Sequence, residues 1–269
     1  MKLKIAILGT RGIPNYYGGF EHISEYVSAG LAKRGHSVTV YNSHNHPYAK
    51  DNWNGVNIVH CYDPEYLIGS AGQFVYDLNC IRDARKRNFD VILIMGYTSS
   101  SVWGRLYPEK STIITNMDGL EWKRSKYSKP VQKFLRYAEK LAVKHSEYYI
   151  SDSMIIKLYL ADKYKIDSKY IPYGADVFSE HEREQLDPAD ALKEDYFLLM
   201  ARMEPENNIE TILEGFNNSN STKNFKVLGS TDNAIFRISG YKLILYLQPV
   251  VVTYIISIKT RYIRRTSYL

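Results

Sequence analysis

Two cysteines, Cys61 and Cys80, are all that the 269 residues carry. Neither stands in a metal or redox spacing. So small a supply suits a reducing cytosol and excludes a disulfide-held scaffold. The seven histidines make no metal-ligand set, and no zinc pattern, P-loop or Ser-His-Asp arrangement occurs, so no metal is expected. His44 and His46 flank Asn45 after the predicted second strand, where they either line a cleft or are simply solvated. A secretory leader is not expected, because the N-terminus runs straight into a strand. The apolar run from Leu243 to Ile258 is shorter than the ~20 residues of a spanning helix. Pro249 sits in its middle.

Acidic charge is missing from one place only. Residues 234–269 hold Arg237, Lys242, Lys259, Arg261, Arg264 and Arg265 and no Asp or Glu. Those six cations are the whole of the formal +6 net charge. The rest of the chain is balanced, which argues against a nucleic-acid footprint.

What is present begins with Lys4–Leu8. Ile5, Ile7 and Leu8 form the short apolar run of a parallel strand covered on both faces. Gly9 and Gly12 permit a tight turn. Gly18-Gly19 then precedes Phe20, Ile23, Val27 and Leu31, which recur at helical spacing until Gly35 supplies a C-cap. The free N–H groups at such a helix start attract phosphate. The glycines do not follow the dinucleotide pattern, and no acid follows the second strand, where a ribose partner for NAD would sit. A nucleotide-dependent oxidoreductase or epimerase is therefore the weaker alternative, and it also lacks a Tyr-x-x-x-Lys helix.

Further along, strands and helices alternate. Strands are predicted at Ser37–Ser43, Val56–Tyr62, Asp90–Gly96, Thr112–Asn116, Tyr148–Ser151 and Tyr170–Pro172. Helices are predicted at Gly72–Arg87, with Phe74, Leu78 and Ile81 inward, at Pro130–His145, and near Met154–Tyr164. The stripe of the second comprises Val131, Phe134, Leu135, Ala138, Leu141 and Ala142. This order implies a parallel sheet with right-handed crossovers and ligands at the carboxyl ends of its strands. The run of acids between Gly174 and Asp195 reads as a solvated linker. A second α/β unit opens with a strand at Tyr196–Ala201, a loop at Arg202–Asn208, a helix at Ile209–Phe216 and a strand at Phe225–Gly229.

The string Gly-Thr-Arg-Gly-Ile-Pro-x-x-Tyr-Gly-Gly-Phe-Glu, ending at Glu21, resembles family-4 glycosyltransferases of the GT-B fold. More closely it resembles their rhamnosyltransferase-like branch. Asn116-Met117-Asp118-Gly119-Leu120-Glu121-Trp122-Lys123-Arg124 is similar to a second segment of that branch. Ile171-Pro172-Tyr173-Gly174-Ala175-Asp176 resembles the signature that ends the family's first domain, with Tyr173 in place of an Asn. The resemblance covers residues 1 to about 232.

It implies an α/β chain. A GT-B-type, Rossmann-like parallel-sheet domain over 1–176 and an acidic linker over 177–194 precede a truncated second α/β domain over 195–233. The donor diphosphate would lie on Gly18 and Gly19, with Arg202 as a charge contact; Arg202 could equally pair with Glu204 or Glu206. Asn207 stands where a Lys is expected. Asp118 would orient the acceptor hydroxyl as the catalytic residue, or else cap a turn with Gly119. Glu21, Asn116, Glu121 and Arg124 would build the acceptor pocket, unless Glu121 merely pairs with Arg124.

The substrates implied are a nucleotide-sugar, dTDP-rhamnose, and a lipid-linked glycan acceptor of surface-polysaccharide synthesis. No further cofactor is implied. The implied site of action is the cytoplasm, on the inner face of the plasma membrane. There Lys123, Arg124, Lys126, Lys129, Lys133, Arg136, Lys140 and Lys144 would meet anionic lipid, although such lysines commonly form a solvated face.

The family's pair of donor-gripping Glu residues is missing, since no Glu follows Glu214. Residues 234–269 read as a frame-shifted or truncated end, with a membrane-dipping hairpin or two buried strands as alternatives. A donor-domain Glu pair in another frame of the coding DNA decides it. A chain so shortened could be an inactive fragment that only folds or binds acceptor.

Overall fold

A computed structural model describes residues 1–16, 18–117, 119–124, 127–174, 196–201, 207–219, 221–229 and 254–258. The chain divides into two compact units, Met1–Ala175 and Asp176–Leu269. In order, the first unit contains β1 (Lys4–Leu8), α1 (Gly19–Lys33), β2 (Ser37–Ser43), β3 (Asn52–Trp53), β4 (Val56–Cys61), α2 (Glu65–Ile68) and α3 (Gly72–Arg87). It continues with β5 (Val91–Met95), β6 (Thr112–Asn116), α4 (Lys129–His145), β7 (Tyr148–Ser151), α5 (Met154–Tyr164) and β8 (Lys169–Tyr170). Short 3-10 segments at Gly69–Ala71, Ser101–Leu106 and Glu121–Lys123 fill the connections.

The eight strands form one sheet in the order β3-β4-β2-β1-β5-β6-β7-β8. All neighbours pair in parallel except β3, which runs against β4. The order leaves β1 central and sends the chain outward in both directions from it. Right-handed crossovers then place α1 on one face and α3 on the other. Each face has its own core. Ile7, Val38, Val40, Ile58 and Met95 pack under Phe20, Ile23, Val27 and Leu31 of α1. Ala6, Leu8, Tyr41, Ile92, Ile94 and Ile113 pack with Tyr76, Cys80, Ile81 and Ala84 of α3.

The second unit is a smaller sheet of β9 (Tyr196–Met200), β10 (Asn224–Gly229) and β11 (Tyr254–Ile258), with α6 (Ile209–Asn217) between β9 and β10. β9 and β10 are parallel, and β11 adds to β10 antiparallel. Phe197, Phe216 and Phe225 meet in one aromatic cluster. The linker at 177–194 and the tail outside β11 lie beyond the described residues.

The helix stripes differ from a purely apolar reading. In α3 the buried set is Gly72, Tyr76, Asp77, Cys80, Ile81 and Ala84, while Phe74 and Leu78 are half-buried. Val131 of α4 is exposed, and the charged Glu139 is buried beside Leu135, Ala138 and Ala142. In α1 the fully buried positions are Glu21, Ser24 and Ser28. Hydropathy alone sends polar side chains outward, whereas the fold supplies partners for several of these.

Glu139 has the largest such set. Its Oε1 accepts from Tyr159 at 2.8 Å, Tyr164 at 2.5 Å and Lys163 at 2.8 Å. Its Oε2 accepts from the Trp122 indole at 3.1 Å. Lys163 also donates to Tyr159, and the Arg136 guanidinium lies 4.2 Å over the Trp122 ring. One carboxylate thereby binds α4, α5 and the segment after β6 together. Burial raises the Glu139 pKa, but its bonds with Lys163, Tyr164 and Tyr159 outweigh that and hold it below its ordinary 4.5. A carboxyl depressed in the fold contributes stability above its unfolded pKa and loses it as pH falls through the folded one.

We expect Glu139→Gln to cost about 1–3 kcal/mol at pH 7 in urea unfolding, discounted for the partial exposure of Lys163. The gap to wild type should narrow as the pH is lowered below about 4.5, the ordinary carboxyl value. A gap constant from pH 7 to pH 3 would show that Glu139 does not carry this charge.

Candidate functional site at the carboxyl edge of the large sheet

The loop from Gly9 to Gly18 is braced from four sides. The Asn42 amide, buried at the end of β2, accepts from the Ile13 N–H at 3.1 Å and donates to the Ile13 carbonyl at 2.8 Å. Glu21 Oε1 accepts from the Arg11 N–H at 3.0 Å, and Glu25 accepts from the Asn15 N–H. The Tyr76 hydroxyl, from the opposite face, donates to the carbonyls of Thr10 at 3.0 Å and Tyr41 at 2.8 Å. Gly12 sits at φ +135°, and a Cβ there would lie 2.4 Å from Asn42 Cγ. The amide clamp therefore requires glycine at that position.

The loop delivers Gly18 and Gly19 to the head of α1. Gly18 is the N-cap, and no side chain caps the first turn. Glu21, the acid of that turn, is 3 % exposed and committed to the loop. The sequence reading gave Glu21 to an acceptor pocket; the structure makes it a brace of the loop. The Phe20 ring lies against Gly96 at the end of β5, where a Cβ would approach to 2.9 Å. Arg11 pairs with Glu65 of α2, at 2.6 and 2.9 Å. The Gln73 amide donates to that same Glu65 at 3.2 Å.

Beside this head are the ends of β5, β6 and β7. Asn116, the last residue of β6, is buried, and its Oδ1 has no hydrogen-bond partner. Asp118 lies outside the described residues. Past it, Glu121 and Arg124 pair at 3.1 Å, the Tyr127 hydroxyl donates to Glu121 at 3.4 Å, and the Gln132 amide donates to the carbonyls of Arg124 and Tyr127. This is the mutual pairing that the sequence left open for Glu121 and Arg124. Both remain partly accessible. Arg202 also falls outside the described residues.

Three features escaped the sequence reading. Asp77 on α3 is buried and accepts from the Ser99 hydroxyl at 2.6 Å. Burial pushes its carboxyl up to about 7; the Ser99 bond opposes this and nearby Asp63 adds to it. Asp152, just after β7, has a buried Oδ1 without a partner. Glu139 holds the segment after β6 through Trp122. Of the residues involved, only Trp122 stands in a segment that the sequence singles out. His44 and His46 serve the local backbone, with Nδ1 of each accepting from the N–H of Asp63 and Tyr48 respectively. Among the described residues no His, Cys, Asp and Glu come together in a metal-holding group, and no helix is long and apolar enough to cross a membrane.

Comparison with solved structures places this architecture. A glycosyltransferase from Rickettsia africae ESF-5 aligns with 87 % of the chain at 14 % identity and a TM-score of 0.52. Arabidopsis thaliana UGT89C1 complexed with UDP aligns with 87 % at 13 % identity and a TM-score of 0.51. The chain spans 61 % of the first and 66 % of the second. At such identities the likeness shows the fold, which is that of GT-B glycosyltransferases, here in part. No curated protein matches the chain. Residues 2–176, the whole of the large sheet with its braced loop, match one family model, and the chain belongs to that family, described as a domain of unknown function (DUF1972).

Proposed function

We propose that this chain is the acceptor-side domain and the start of the donor domain of a retaining family-4 glycosyltransferase of the rhamnosyltransferase-like branch. The observation that supports this most is the head of α1, where a rigid loop leads into a glycine pair and no side chain caps the helix. A helix start of this kind stabilises an anion through its unpaired N–H groups and its dipole. In the proposed reaction the acceptor oxygen bonds to the anomeric carbon as the bond from that carbon to the donor's phosphate oxygen breaks. The acceptor proton passes to the leaving diphosphate. Charge grows on that diphosphate, so fixed donors aimed at it lower the barrier.

Gly18 and Gly19 supply those donors, and Arg202 supplies a bidentate charge. Asp118 orients the acceptor hydroxyl, with Glu121 and Arg124 setting the shape of its surroundings. The donor is a dTDP-linked deoxyhexose, and the acceptor is a lipid-linked glycan of surface-polysaccharide synthesis. The acceptor's lipid explains the outer face of α4, where Lys129, Lys133, Arg136, Lys140 and Lys144 surround exposed Tyr137. A second reading, a chain that binds but does not turn over, is favoured by the absence of any Glu after Glu214.

A Cβ added at Gly19 meets nothing within 4 Å, so Gly19→Val should fold as wild type. Titrated with UDP and dTDP, this variant should bind about tenfold more weakly than wild type, as expected when a charge-assisted contact is crowded out. Equal binding would remove the α1 head from the site, and binding without sugar transfer would favour the second reading. In a full-length relative, Asp118→Asn should lower kcat by about 100-fold or more with folding intact; unchanged turnover would clear Asp118 of a catalytic role. Sedimentation with anionic vesicles should fall steeply between low and high salt. Binding indifferent to salt and lipid charge would refute electrostatic docking.

A further inference from the structure

The two acceptor oxygens without partners, Asn116 Oδ1 and Asp152 Oδ1, belong together. β6 and β7 are parallel neighbours, with Asn116 opposite Ile150. Facing residues of a parallel pair share a side of the sheet, and the side-chain period along a strand is two. Asp152, two residues beyond Ile150, therefore shares a face with Asn116. It is the face that carries α1, because Ile7 pairs with Leu93, Leu93 with Ile114, and Asn116 lies two residues beyond Ile114. The Met117 N–H donates to the Ile150 carbonyl at 2.8 Å and extends the ladder to the edge, so the relative placement is fixed. With strand spacing near 4.8 Å and a rise of about 3.3 Å per residue, an extended continuation of β7 by one residue puts the two Cα atoms about 8 Å apart.

Among the described residues neither Oδ1 has a hydrogen-bond partner, although the Asp152 carboxyl as a group is held by the backbone N–H groups of Asp152 and Ser153. The helix that follows Asp152 is capped by its neighbour: Ser153 Oγ accepts from the Ile155 N–H at 3.2 Å. Asn116 is 2 % exposed, and nothing among the described residues donates to its Oδ1. Buried acceptors left in this state oppose folding, and natural cores keep few of them. Both are acceptors, and one is a carboxylate. A phosphate would be repelled there, whereas a ligand offering two O–H donors across a sugar-ring width would satisfy both.

We propose that the ends of β6 and β7 form a hydroxyl-binding subsite, in which Asn116 Oδ1 and Asp152 Oδ1 each accept a hydrogen bond from one sugar ring of a glycan. It rests on the glycosyltransferase reading for its place on the acceptor side. Asn116 and Asp152 then select for ring hydroxyls, while the head of α1 takes the anion.

The test uses the 269-residue chain, a panel of methyl glycosides of hexoses and 6-deoxyhexoses, and saturation-transfer NMR, with UDP titrated on the same samples. Wild type should bind at least one glycoside. Asn116→Leu and Asp152→Leu, which remove the acceptors at similar volume, should weaken that binding about tenfold or abolish it. They should leave the UDP response and the melting temperature unchanged or the latter raised. Asp152→Asn, which keeps an oxygen acceptor, should retain binding. The subsite is overturned if no glycoside binds wild type, if the Leu variants bind as well as wild type, or if they bind none but melt markedly lower. Glycoside binding without UDP binding would keep the subsite and remove the donor reading.

Discussion

The carboxyl edge of the large sheet depends on a single side-chain amide. Asn42 satisfies both the N–H and the C=O of Ile13 in a buried loop that has no ladder of its own. Backbone polar groups removed from water must find partners, and apart from the Gly12 N–H, which donates to Thr10 Oγ1, this loop finds them in neighbouring elements. Glu21, Glu25 and Tyr76 do for Arg11, Asn15 and Thr10 what Asn42 does for Ile13. The loop is thus held by groups from β2, α1 and α3, and the head of α1 inherits that rigidity. In the proposed reaction, such pre-organisation would spare the backbone amides at the head of α1 any reordering when an anion arrives.

Charge is handled on the same plan at the other end of the sheet. Glu139 is buried with four donors, and the segment following β6 hangs from it through Trp122. Asp77 is buried with one hydroxyl, and its carboxyl is pushed toward neutrality. The contrast follows from partners: a cation and two phenols keep one acid ionised, and a lone serine does not suffice for the other. Asn116 and Asp152 go further, with an oxygen each that the described residues leave unanswered.

Much of the fold was legible because its elements are strongly periodic and sharply punctuated. β2, α3, β6, β7 and α5 begin and end at the residues their patterns indicate. Gly35, at φ +90°, follows α1 as a cap should. The 3-10 segments and α2 were not legible, since three to six residues make no period. Nor were Glu139, Asp77 and Asp152. Glu139 and Asp77 are buried with partners 17 to 24 residues away, Trp122, Tyr159 and Lys163 for the first and Ser99 for the second, and a single sequence does not announce such pairings. Gly18 and Gly19 at the head of α1, and Asn116 at the end of β6, stand in the fold where motif and strand pattern predict them. The partners of Glu121 and the brace formed by Glu21 required side-chain geometry.

Two kinds of side chain face inward from α1: Phe20, Ile23, Val27 and Leu31 pack on the sheet, and the small, buried Ser24 and Ser28 let the helix sit close to it. Apolar packing is non-directional, so it holds the helix down without fixing its position along its own axis. The bonds from Glu21 and Glu25 into the loop supply that direction at the front end, much as a collar fixes a rod on its bed. Sequence drift on the far side of this helix can alter its tail while the amides at its front keep their place.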